Sequence, residues 1–85
     1  MKYLGIMSWK PEDAEKVTDL FLKWKKPEGL RWVYGPYTMI GHNKSVSIFE
    51  GPDEAIAKID RYWRNTCTSE IYPIMESAEI AKIKA

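Results

Sequence analysis

The apolar positions change period several times along the chain. From Lys2 to Trp9, Leu4 and Ile6 fall on one face and Tyr3, Met7 and Trp9 on the other. Both sides are apolar, which predicts a strand covered on both faces. Lys10-Pro11-Glu12-Asp13 then opens a helix: Pro11 suits its first turn, and the two acids complement the positive end of the helix dipole. Ala14, Val17, Leu20, Phe21 and Trp24 recur at helical spacing and form its buried stripe. Lys25-Lys26-Pro27-Glu28-Gly29 ends the helix.

Leu30 to Ile40 predicts a second strand, with Leu30, Trp32 and Tyr34 on one face and Gly35-Pro36 marking a bulge or an edge. Gly41-His42-Asn43-Lys44 predicts a hairpin turn. In the third strand, Ser45 to Glu50, Val46 and Ile48 face away from Ser45, Ser47 and Phe49. Asp53 to about Arg64 is a second helix with Ile56, Ile59 and Trp63 on its apolar face. Glu70 to Met75 is a fourth strand, placed at an edge or bulge by Pro73, and Glu76 to Lys84 is a short last helix.

The order is β-α-β-β-α-β with a terminal helix, the ferredoxin-like split βαβ arrangement of the α+β class. No linker or repeat divides the chain, so residues 1–85 are expected to form one domain. In this arrangement two helices cover one sheet face and leave the other bare. Here the bare face is expected to carry Tyr, Met, Trp and Ile, including Tyr3, Met7 and Trp9. Such a patch marks an interaction surface, and its simplest cover is a second copy in a two-fold homodimer.

Composition sharpens this expectation. Four Trp, five Tyr and two Phe are many large rings for 85 residues, because a domain this small buries only about 60% of its unfolded surface. Some rings should therefore meet a partner or a ligand. Tyr3, Met7, Trp9, Trp32, Tyr34 and Tyr37 are the candidates for a ligand pocket or a dimer face. Thirteen basic and 12 acidic side chains leave a net charge of +1, which argues against nucleic acid or an anionic membrane as a partner. The positions that would stack bases on the third strand are the aliphatic Val46 and Ile48. The apolar start lacks the length and cleavage site of a secretory signal, and Cys67 is the only cysteine. A reducing cytoplasm is the expected compartment.

Conventional chemistry is sparse. His42 is the only histidine and lies in the predicted turn, so neither a His metal cluster nor a His relay is available. Cys67 reads as a loop residue without a base beside it. Most carboxylates fall at helix starts, and the scattered glycines form no phosphate loop. The residues therefore predict no catalytic group, no metal and no cofactor.

Three short motifs add a resemblance: Ser8-Trp9-Lys10-Pro11-Glu12 after the first strand, Trp24 to Pro27 at the end of the first helix, and Tyr72-Pro73 in the last strand. In these the chain resembles a short, uncharacterised prokaryotic family of the dimeric α/β-barrel superfamily. That resemblance implies two sheets facing each other in a dimeric barrel, and it implies no particular reaction. The leading expectation is a small dimeric barrel that binds an apolar or planar ligand in an aromatic-lined cavity. The alternatives are a cofactor-free monooxygenase- or isomerase-like enzyme, or a structural or regulatory dimerisation module without ligand. A void of roughly 300 Å³ or more beside a buried polar group favours binding or chemistry; a packed interface favours the module.

Overall fold

The computed structural model describes residues 1–83. Its elements are β1 (Lys2–Ser8), a short 3-10 turn (Pro11–Asp13), α1 (Ala14–Lys23), β2 (Arg31–Thr38), β3 (Lys44–Glu50), α2 (Asp53–Trp63), β4 (Thr68–Ile74) and α3 (Ser77–Ala81). The four strands form one antiparallel sheet in the order β2-β3-β1-β4, the ferredoxin-like arrangement.

Most boundaries follow local chemistry. Lys10-Pro11 delays the α-helix by one tight turn, so α1 proper begins at Ala14. It ends at Lys23, earlier than the sequence suggests, because Trp24 is already extended (φ −69°, ψ 135°). Acidic Asp53 and Glu54 open α2 and Arg61 lies in its last turn, so both ends suit the dipole. β4 starts at Thr68 rather than Glu70. The predicted last helix shortens to Ser77–Ala81, and its expected end at Lys84 lies outside the described residues. Pro36 and Pro73 both fall on the outer strands, where a missing N–H costs no ladder bond.

Val17, Leu30, Phe49, Ala55, Ile59, Trp63 and Cys67 form the buried core between the helices and the sheet. Phe49 is the most deeply buried large side chain, at 1% exposure; burying a ring of this size contributes roughly 2–3 kcal/mol. It lies across Gly5, edge-on to Trp32 (5.7 Å between centroids, 84° between planes) and stacked with Tyr3 (6.2 Å). The Tyr62 hydroxyl donates to the Leu20 carbonyl oxygen at 2.7 Å and ties α2 to α1.

These contacts correct the expected faces of β1. Tyr3 and Met7 look toward the helices and pack on the core, and so does Trp9 just beyond the strand. Leu4 and Ile6 therefore occupy the open face. Alternation alone could not decide this, because both faces of β1 are apolar. The register with β3 decides it: Tyr3 sits opposite Phe49 and Met7 opposite Ser45, whereas Leu4 sits opposite Ile48 and Ile6 opposite Val46.

Strand β2 departs from expectation for a different reason. Trp32 pairs with Phe49 on the helix side, but the register shifts at Val33, so Tyr34 pairs with Ile48 on the open side. A second shift follows at Gly35-Pro36, where Gly35 has φ +81° and a Cβ would lie 2.9 Å from the Val46 carbonyl oxygen. Tyr37 then pairs with Val46, also on the open side. Extra residues in one strand break the two-residue alternation, which separates Trp32 from Tyr34.

Candidate functional site

A cavity of about 220 Å³ opens between α1, α2 and the sheet. All four tryptophans of the chain line it: Trp9 after β1, Trp24 at the end of α1, Trp32 on β2 and Trp63 on α2. Trp24 stands at the centre of the cluster, 5.6 Å from Trp32 and 6.5 Å from Trp63 between ring centroids. Met7, Val17, Phe49 and Ile59 complete the apolar wall. Thr18, Phe21, Pro36 and Thr38 are the exposed lining residues, so the mouth lies between α1 and the β2 edge. Phe21, expected to be buried on the α1 stripe, is half exposed there.

Among the described residues the lining contains no charged side chain. Its polar groups are Thr18, Thr38, Ser45, Ser47 and Cys67, besides the indole N–H groups. Cys67 is not the polar-loop residue that its neighbours suggest. It is buried in the core, its backbone N–H donates to the Trp63 carbonyl at 2.8 Å, and its side chain joins the cavity wall. Burial, reinforced by the negative charge of Asp13, pushes the thiol above its usual pKa. At neutral pH the thiol stays protonated, a poor state for nucleophilic attack.

The candidate residues fall into three groups. Met7, Trp9 and Trp32 meet in this cavity. Tyr3 is on the same side of the sheet but lines a separate shallow cleft with Asp53, Ile56, Asp60 and Ile71. Tyr34 and Tyr37 lie on the open face, with ring centroids 4.8 Å apart. The cavity therefore belongs to one chain's helix side rather than to a space between two sheets. Its volume is below the roughly 300 Å³ typical of drug-sized ligands.

Ser45, Ser47, Thr38 and Cys67 are lining residues that the sequence did not single out. For the two serines a signal was present: their alternation with Val46 and Ile48 places them on the face of Phe49. Cys67 carried no comparable signal, because its burial depends on how the loop after α2 turns back onto Trp63.

The open face presents cross-strand rows. Tyr34, Ile48, Leu4 and Tyr72 form one row, and Tyr37, Val46, Ile6 and Glu70 the next. Arg31, Glu50, Lys2 and Ile74 close one end. Arg31 pairs with Glu50, and Lys2 with Glu76 at 3.8 Å. The Tyr72 hydroxyl donates to Glu70 at 2.9 Å; this bond and the carboxylate charge raise its pKa.

His42 is exposed in the β2–β3 turn. Among the described residues, no group of three or more His, Cys, Asp or Glu could hold a metal ion. No described helix is long and apolar enough to cross a membrane.

No curated protein and no solved structure matches the chain. A family model does match, over residues 1–85: the chain belongs to DUF3303, a domain of unknown function.

Proposed function

We propose that this protein is a small-molecule-binding domain that takes an apolar, planar ligand between its helices and its sheet. The observation that carries this reading is the convergence of all four tryptophans on one cavity with no charged lining residue among the described residues. Aromatic walls with a few hydroxyls suit flat molecules, because ring faces stack and polar tips orient. Binding is favoured over acid–base catalysis by the lining itself. Its one thiol is held protonated, and among the described residues no carboxylate, histidine or tyrosine lines the space.

Native mass spectrometry of protein purified from its own host tests this reading. The expected result is a retained neutral mass of roughly 100–200 Da, a size set by the cavity volume. A wholly unliganded protein whose tryptophan emission ignores one- and two-ring aromatic compounds would overturn it.

A second reading concerns assembly and rests on a separate observation. Tyr34, Tyr37 and Tyr72 are 51%, 56% and 47% exposed on the open face. Together they present roughly 300 Å² of ring side chain. Leu4, Ile6, Val46 and Ile48 fill the space between them. A stable interface needs about 800 Å² from each partner. The apolar rows with their flanking charged ends have the form of an apolar core with a polar rim. A second copy of the chain is the proposed occupant, giving a homodimer with facing sheets. The net charge of +1 offers little repulsion between copies. Pairing of Arg31 with Glu50 and of Lys2 with Glu76 suits a protein partner better than nucleic acid.

A further inference from the structure

The polar groups of the tryptophan cavity are unevenly distributed. Thr38 on β2 and Ser45 on β3 are direct cross-strand partners. Ser47 follows Ser45 on the same face of β3 and sits opposite Gly5. Gly5 puts no side chain over the Ser47 hydroxyl; the edge of the Phe49 ring lies there instead, since a Cβ built at Gly5 would be 3.1 Å from Ser47 Oγ and 2.7 Å from Phe49 Cε1. Thr38, Ser45 and Ser47 thus form a strip of hydroxyl-bearing residues in the lining of the cavity that the four tryptophans also line.

None of these hydroxyls has a side-chain hydrogen-bond partner among the described residues, whereas the Thr18 hydroxyl is occupied by the Ala14 carbonyl at 3.1 Å. A purely apolar ligand would cover the Ser45 and Ser47 hydroxyls and leave them unpaired, which is costly. An ionised ligand would lose its hydration with no opposite charge among the described lining residues. The volume sets the size. A cavity of about 150 Å³ accommodates benzene, so 220 Å³ suits a two-ring molecule.

We infer that the cavity selects a neutral aromatic molecule of one or two rings with a hydrogen-bonding group on its edge, and that Thr38, Ser45 and Ser47 read that edge. This rests on the ligand-binding reading above and adds the ligand's chemical class and the residues that discriminate it.

Indole and indene test the inference, because they share size and shape but only indole carries a ring N–H. Calorimetric titration of the wild-type protein should give at least tenfold tighter binding of indole than of indene. Indole-3-carboxylate, which is ionised at neutral pH, should bind at least tenfold more weakly than indole. The Ser45→Ala/Ser47→Ala double variant should lose most of the preference for indole while keeping its affinity for indene, and Thr38→Val should reduce the preference partly. Equal affinity of the wild type for indole and indene would overturn the inference and leave the cavity reading standing. So would an unchanged preference in a folded double variant. Failure of all three probes to bind the wild type would overturn both. The indole–indene comparison uses the wild type alone and so does not depend on any variant folding.

Discussion

The ring of Phe49 occupies the space that a side chain at Gly5 would need: a Cβ built there lies 2.7 Å from Phe49 Cε1. The two residues sit on neighbouring strands, diagonal to each other and two residues out of direct register, since Gly5 pairs with Ser47 and Phe49 with Tyr3. Phe49 cannot easily retreat, because Trp32 and Tyr3 pack on it. Gly5→Ala is expected to destabilise the fold by about 1–3 kcal/mol, the usual cost of overpacking a core. Urea unfolding measures it, and a variant within about 0.5 kcal/mol of wild type would show that the ring is free to move.

The Tyr62 hydroxyl links the two long helices through the Leu20 carbonyl oxygen. Leu20 lies in the half of α1 nearest Trp24, so the bond helps to hold the cavity roof. Tyr62→Phe should cost about 1 kcal/mol, the net worth of one such bond. It should also speed amide hydrogen exchange near the end of α1. Unchanged exchange there would mean that the bond does not restrain the helix.

The raised pKa of Cys67 has a definite sign in stability. The folded state keeps the thiol protonated, whereas the unfolded chain ionises at the ordinary thiol value. The contribution is therefore complete below that value and declines as pH rises through it toward the folded-state pKa. Wild type should lose stability from about pH 8.5 upward, more steeply than Cys67→Ala. Thermal melts of both proteins across the alkaline range check this; parallel pH profiles would count against a buried thiol.

If the open face joins two copies, its central residues carry the contact. Ile6→Lys combined with Tyr37→Lys should convert a species of twice the 9.9 kDa chain mass into a single chain. Light scattering reads the change directly. Met7→Ala should leave the mass unaltered, because Met7 faces the helices. A wild type that already measures as one chain, or a Met7 variant that dissociates while the double variant does not, would rule out this face as the interface.

Much of the fold was legible in the sequence for simple reasons. Helical spacing from Val17 to Trp24 and from Ala55 to Trp63 marked two helices, and both proline strands lie at edges because proline lacks an N–H. The common face of Ser45, Ser47 and Phe49 followed from strict alternation, which β3 keeps without a break. The candidate site was less legible. Trp9 and Trp32 were visible as aromatic candidates, but their joint enclosure of a cavity with Trp24 and Trp63 brings together β1, α1, β2 and α2.

By itself the sequence determined which segments are helix and strand, their order, and the surplus of rings over what one small core can hide. Those properties depend on local periodicity and composition. Only the tertiary structure decided which apolar face of β1 meets the helices, because register with β3 chooses between two equally apolar sides. It likewise sent Tyr34 away from Trp32, since an extra residue at Val33 reverses the alternation that a sequence pattern assumes.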